Sequence, residues 1–340
     1  MYKCRYSCRK VKAAVENIEA VGLLAEHDKK DPSSRNRGRQ STLRLCDDAR
    51  VIVLEVTGGR RRIIRPLSSI VMRDVKKRLT AFDPAAEPVR IIKGFNERHD
   101  EMVRAMRVTG AEVGRMVAVF NNSSLYEGGR GYAPHQNGLK KDRHLLLIDG
   151  EPTVGHDYVS IHPALLYALL GLAIPVDCYA IPGFDQDRDR GRLKMVLVIV
   201  INAASKRKAV MKIAAELENE ERKEKAERRG LVLEPGWKLK RGEKIPPWHL
   251  KTAQLLTAAV ERHHAPIARA FYSGAGTWLQ NIDARIGRAV MSLLMDRGIP
   301  VLSYHDGFRV QARYGDVLKE AMHRMARAVQ GAALQTKPER

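Results

Sequence analysis

Residues 303–312 read SYHDGFRVQA, an Asp-Gly pair between two β-forming runs. Before it stand Ile299-Pro300-Val301-Leu302-Ser303-Tyr304, and after it Phe308-Arg309-Val310-Gln311-Ala312. Asp-Gly in that setting predicts a tight β-hairpin. His305 and Asp306 then sit at its tip, where a carboxylate is accessible and held by the strands on either side. Carboxylates that work on phosphates or metal ions usually act in company, so the meaning of this hairpin depends on a second one.

The second stands in residues 145–171, LLLIDGEPTVGHDYVSIHPALLYALLG. LLLIDG reads as a strand ending in a turn, and Gly155-His156-Asp157-Tyr158 as a short extended run. A helix is expected from Ile161. Ser160 is its N-cap, Pro163 falls in the tolerant first turn, and Gly171 lies beyond its end. Asp157 therefore falls where a strand gives way to a helix. An aspartate there either caps the helix or serves a site.

Composition narrows the class. The chain has 340 residues, with 60 Lys plus Arg against 39 Asp plus Glu, a formal charge of +21. Such an excess favours a polyanionic partner, usually nucleic acid. The apolar run at Val196 to Ile201 is too short to span a bilayer. MYKCRYSCRK at the start has no apolar signal core. Four cysteines (Cys4, Cys8, Cys46, Cys178) do not make a disulfide framework. Cys4 and Cys8 lack a matching downstream pair for zinc. These features lead us to expect a reduced, cytoplasmic protein with no membrane contact.

The first 55 residues suggest a nucleic-acid-binding segment. Arg9 to Leu24 carries Val11, Ala14, Val15, Ile18 and Val21 at spacings of three and four, a helical stripe closed by Gly22. Two strand-like runs, Leu23 to Glu26 and Ser41 to Leu45, flank a loop holding Arg35, Arg37 and Arg39. Helix and basic hairpin resemble the second half of a winged helix-turn-helix, whose wing meets phosphates; a helical cap with a solvated loop is the alternative. Residues 56–144 read as a mixed linking or thumb-like region without catalytic spacing. Within and just before it, ARVIVLEV is strand-like, and Ser69 to Thr80 and Ile91 to Val108 are moderately helical.

Taken in order, the motifs bear a family resemblance. Asp157-Tyr158-Val159-Ser160-Ile161-His162 resembles motif A of the single-subunit nucleic-acid polymerases, the class of A-family DNA polymerases and phage-type RNA polymerases. Tyr304-His305-Asp306-Gly307-Phe308 resembles their motif C. Between them, Arg190 and Lys194 match the spaced cations of motif B, and Asn202-Ala203 stand where that motif carries Tyr-Gly. The helix-like segment from Gly276 to Asp296 is similar to the one that feeds motif C. Phe120 to Ser124 and Gly128-Gly129-Arg130-Gly131-Tyr132 resemble, more loosely, small polymerase-like proteins of phages and mobile elements.

The resemblance implies an α+β fold. A palm of antiparallel sheet and helices would span residues 145–330 together with helical fingers, interrupted by an insertion at 204–262. It implies nucleotidyl transfer by a two-metal mechanism. Two Mg²⁺ ions, or Mn²⁺ in their place, would be held about 3.5–4 Å apart by Asp157, Asp306 and the Tyr158 carbonyl. Arg190 and Lys194, one turn apart on a helix, would meet the triphosphate. That requires KMVLVIVINA to be helical despite its β-branched content. His162, Asn202 and Tyr158 would border the nucleotide. Arg130 and His305 would lie toward the primer, although His305 serves equally as a turn residue. Partners would be DNA or RNA primer-template and nucleoside triphosphates.

Three departures from the family pattern bear on activity. His162 replaces a glutamate common in the DNA polymerases, Asn202 replaces a tyrosine, and Gly307 replaces a common serine or glutamate. The choice between dNTP and rNTP stays open. So does a non-catalytic DNA-binding replication or regulatory role on the same fold. A two-metal nuclease would use the same aspartates, but the cations between them argue for a triphosphate. In the 204–262 segment, AAELENEERKEKAERR reads as a solvated charged helix. EPGWKLKRGEKIPPWHLK reads as a loop in which Trp237 and Trp248 suit either base stacking or plain packing.

Overall fold

The computed structural model describes residues 69–137, 143–231 and 243–339, together with the strands at 24–28 and 42–45. Those two strands, β1 (Leu24–Asp28) and β2 (Thr42–Leu45), pair antiparallel, as expected for the ends of the basic loop. Arg35, Arg37 and Arg39, the bulk of the helix expected at 9–24, the strand-like run from residue 50 and Trp237 lie outside the described residues. Elsewhere the protein is a mixed α and β structure built on largely antiparallel sheets.

The smaller sheet has the order β4-β3-β6-β7, formed by β3 (Ile70–Arg73), β4 (Leu79–Thr80), β6 (Val117–Asn121) and β7 (Ser124–Tyr132). Helix α1 (Glu87–Ala105) packs on it, and Ile70, Met72, Val89, Ile92, Ala118 and Phe120 form the shared core. The helix expected over Ser69 to Thr80 is instead the β3–β4 hairpin. Asp74 takes the backbone N–H groups of Lys76 and Arg78 at 2.8 and 2.9 Å and closes a turn. The β-branched residues before it find a parallel ladder on β6.

The larger sheet carries the motifs. Its order is β10-β11-β9-β8-β5, with β12 also on β9. The strands are β5 (Val108–Thr109), β8 (Leu147–Ile148), β9 (Glu151–Tyr158), β10 (Leu302–Tyr304), β11 (Gly307–Gln311) and β12 (Thr336–Pro338). The β8–β9 turn uses Asp149 and Gly150, both at positive φ (52° and 81°), the backbone that Asp-Gly favours in a two-residue hairpin. Alternation divides β9 and β11. Val154, Tyr158, Phe308 and Val310 join the main core, whereas Asp157, Gly307 and Arg309 face the other way.

Helices α2 (Ile161–Leu169), α3 (Gln186–Asn202), α4 (Lys206–Arg228), α5 (Pro247–His263), α6 (Gly276–Asp296) and α7 (Gly315–Gln330) surround that core. KMVLVIVINA is indeed helical. Asp185 caps α3 by accepting from the N–H groups of Asp187 and Arg188, and Leu193, Val196, Leu197, Val200 and Ile201 are buried. Burial rather than strand propensity decides the segment. The expectation of a solvated helix over residues 214–229 is corrected at its start: α4 buries Ala214 and Leu217, with Ala209 and Ile213 just before them, in the main core. Its apolar residues crowd into the first turns, and the charged remainder masks them in the sequence. Trp248 stands exposed near the start of α5, not in a loop. Among the described residues no helix is long and apolar enough to cross a membrane.

Candidate active site

The motif C turn is shifted by one residue from the Asp-Gly expectation. Tyr304 pairs with Gly307, so His305 and Asp306 are its two central residues and Gly307 opens β11. His305 takes the positive φ, 68°, which a two-residue turn of the II′ kind requires at its first position and normally assigns to glycine. The carbonyl of Asp306 accepts the Tyr158 N–H at 3.1 Å. That bond ties the turn to the end of β9, beside Asp157.

Asp157 is the register partner of Gly307 across β9 and β11. A Cβ at 307 would overlap Asp157 Oδ1, so the carboxylate lies over the glycine. Gly307 is thus required by the site it belongs to, whereas the sequence showed it only as a departure from the family pattern. The Asp157 carboxyl is pushed up to about 6, first by burial, then by the charges of Asp306 and Glu339; Lys337 and Arg143 oppose this. The two motif aspartates therefore share one electrostatic environment, an arrangement suited to holding cations.

Around the pair, β12 lies on β9 with Lys337 opposite Asp157. Next along, the Glu339 N–H bonds the Gly155 carbonyl at 2.8 Å. The Glu339 carboxylate is clamped by Arg143 (2.6 Å) and by Arg309 (2.9 and 3.2 Å). Arg143 lies over the Tyr304 ring at 3.8 Å. Tyr158 is buried, and its hydroxyl bonds the Met322 carbonyl at 2.7 Å; only its main chain is left for a ligand.

A second cluster joins three elements. Arg130 on β7 meets the buried Asp283 on α6, with Nε 3.1 Å from both carboxylate oxygens and Nη2 on Oδ2. His162 Nε2 lies 2.9 Å from the same Oδ2 and 3.3 Å from Arg130 Nη2. Although burial opposes it, Asp283 and the field of Asp306 hold Arg130 firmly cationic. His305 stacks edge-on against Tyr132 at 5.2 Å. Partial desolvation and the Arg130 charge hold its ring below its ordinary pKa. The structure thus sets Arg130 and His305 within the field of Asp306, and joins His162 to Arg130 through Asp283.

The motif B cations stand on α3. Arg190 is engaged by Asp177, Nε to Oδ2 at 2.7 Å and Nη2 to Oδ1 at 3.3 Å. Against the effect of burial, that pairing holds Asp177 below the usual carboxylate range. Arg190 and Lys194 both lie over Tyr179, at 5.2 and 5.8 Å from its ring centre. Asn202 is turned elsewhere: its Nδ2 donates to the Val198 carbonyl at 2.8 Å, and its side chain fills the space where Gly276 has no Cβ. Ser160 does precede α2, but at a left-handed φ of 49° and without a capping bond.

Sequence reasoning missed Asp283, Lys337, Glu339, Asp177 and Arg143. Asp283 alone left a signal, an acid inside the apolar stripe of Leu279, Ile282, Ile286 and Val290. Away from the motifs, Glu218, Glu221 and His249 form an acid-histidine group. Arg222 and Lys225 already pair its carboxylates, which makes it an ion-pair network.

No family model and no curated protein matches the chain. Among solved structures it is similar to the POL domain of Pol1 from M. smegmatis in complex with DNA primer-template and dNTP, at 15% identity and a TM-score of 0.32. The match covers 74% of this chain and 50% of that one, so the chain spans about half the length of that structure. Likeness at that level leaves the functional reading to the geometry of the site.

Proposed function

We propose that the chain is a template-directed nucleotidyltransferase, a DNA- or RNA-synthesising polymerase. The observation that carries this is the placement of Asp157 over Gly307, with Asp306 in the adjoining turn and the two carboxylates electrostatically coupled. The residues fit a divalent pair. Hard cations want carboxylate oxygens, a carboxyl raised by burial and then by neighbouring acids gains from a nearby cation, and Gly307 keeps the approach open. Asp157, Asp306 and the Tyr158 carbonyl would hold two Mg²⁺ or Mn²⁺ ions. Bound there, the ions would stabilise the attacking and leaving oxygens of an in-line displacement at phosphorus.

The chain's own groups supply the rest. Arg190 and Lys194 take the triphosphate, Arg190 exchanging Asp177 for phosphate oxygens. Asp283 fixes Arg130 and His162 in one orientation beside Asp306, where His162 borders the nucleotide and Arg130 and His305 the primer end; Asn202, bonded to Val198, takes no part. Arg35, Arg37 and Arg39 of the first 55 residues add phosphate contacts. On this reading residues 56–144 link that segment to a catalytic region at 145–330.

Primer extension with labelled dNTPs or rNTPs, on DNA and RNA templates, tests the reading. Template-dependent incorporation that disappears in Asp306→Asn supports it. Tight primer-template binding without incorporation under any pairing of template and nucleotide would return the non-catalytic alternative.

A further inference from the structure

The strand after α7 brings a cation to the carboxylate pair that no motif announces. Residues directly opposite in an antiparallel pair share a face, with Cβ atoms about 4.5–5.5 Å apart. The β12 register sets Lys337 opposite Asp157 on one edge, as β11 sets Gly307 opposite it on the other. Asp157 is therefore flanked by a residue with no side chain and by a residue with a long cationic one.

The strand is held in that register. Glu339, two residues on, is clamped by Arg143 and Arg309 and bonds Gly155 through its N–H. Thr336 pairs with Tyr158, and the Val159 N–H donates to the Gln335 carbonyl at 2.9 Å. Lys337 itself is exposed and, among the described residues, makes no ion pair. It lines a cleft with Gln186, Asp187, Arg190 and Gly191, at the start of α3. Its charge reaches Asp157 on one side and Asp177, the partner of Arg190, on the other.

We propose that Lys337 is a triphosphate-binding residue, the cation that bridges the carboxylate pair to Arg190 when a nucleoside triphosphate occupies the cleft. This deepens the polymerase reading and rests on it. In the protein alone, Lys337 offsets the charge of Asp157. With divalent cations on the aspartates, the ammonium is released to phosphate oxygens, which it binds as a mobile point charge. Arg190 and Lys194 on α3 and Lys337 on β12 then approach the triphosphate from two sides. Glu339 is a positioning residue that fixes the strand.

The test is equilibrium binding of a fluorescent nucleoside triphosphate, with Mg²⁺ and a chain-terminated primer-template, so that no turnover is needed. Lys337→Ala should weaken binding about tenfold or more, the loss of one charge-assisted contact. Lys337→Arg should keep it within about threefold, with melting temperatures within about 2 °C of wild type. Glu339→Gln should weaken binding less than Lys337→Ala. Unchanged binding in Lys337→Ala overturns the assignment. A loss that arginine does not restore and that tracks a lower melting temperature also overturns it, in favour of a structural role. Wild-type protein that binds the nucleotide through Lys337 but never extends a primer would sink the polymerase reading and leave the phosphate site standing.

Discussion

Asp157 faces Gly307 across β9 and β11, and its Oδ1 stands where a Cβ at 307 would be. Gly307→Ala needs no unusual backbone, so its whole effect is steric. The methyl group should push the carboxylate aside, and a displacement of about 1 Å in such a site costs on the order of a hundredfold in rate. Single-turnover incorporation should fall by roughly that factor while primer-template affinity holds. A normal rate in Gly307→Ala would mean that the carboxylate does not work from this position.

Asp157 has its carboxyl raised to about 6 from an ordinary 3.8. The folded protein thus binds this proton more tightly than the unfolded chain does. In metal-free protein its contribution to stability is present below pH 3.8 and is lost as pH rises through about 6. Asp157→Asn, which cannot ionise, should melt higher than wild type at pH 8 in the presence of a chelator, and the difference should shrink toward pH 4. Added Mg²⁺ should stabilise the wild type and not the variant. Melting curves across pH, with and without the ion, check both.

Asp283 is buried against Arg130 and His162. Asp283→Ala leaves a half-buried guanidinium without its counter-charge, so it should destabilise by less than the ~3–5 kcal/mol typical of a fully buried pair. Urea unfolding should show that loss. Asp283→Asn keeps the shape and one acceptor and should be milder. Equal stability of Asp283→Ala and wild type would show that Arg130 finds another partner.

Arg190 is bound to Asp177 in the nucleotide-free protein. If it must leave that partner to reach phosphate, Asp177→Ala should lower the nucleotide concentration at half-maximal incorporation, whereas Arg190→Ala should raise it. Because the pair is partly exposed, each effect should be modest, with the ion pair itself contributing no more than about 1 kcal/mol. The opposite sign for Asp177→Ala would make this ion pair a requirement of the active form.

Local signals in the sequence were sound where the structure is local. The Asp149-Gly150 turn, the helix opening at Ile161 and ending before Gly171, and the amphipathic run behind α1 follow from residue type and spacing. The same rules failed where partners decide. Ser69 to Thr80 became strands because β6 was there to pair with. The start of α4 became core because α3 and α5 pack against it. The Asp-Gly rule found the hairpin but placed its turn one residue late, since Gly307 is needed on β11 beneath Asp157 rather than in the bend.

The sequence by itself determined the two aspartates, their order with Arg190 and Lys194 between them, the basic character of the chain and the helices and turns that local preferences dictate. Only the tertiary structure decided which groups share a face. Lys337 and Glu339 lie about 180 residues from Asp157 and Gly155 in the chain, and antiparallel pairing brings them into register. Asp283, on another helix, meets Arg130 and His162 only through packing. Strand pairing and core packing are contacts between residues distant in the chain, so no window of sequence carries them, and a one-residue slip in register would turn each of these side chains to the opposite face.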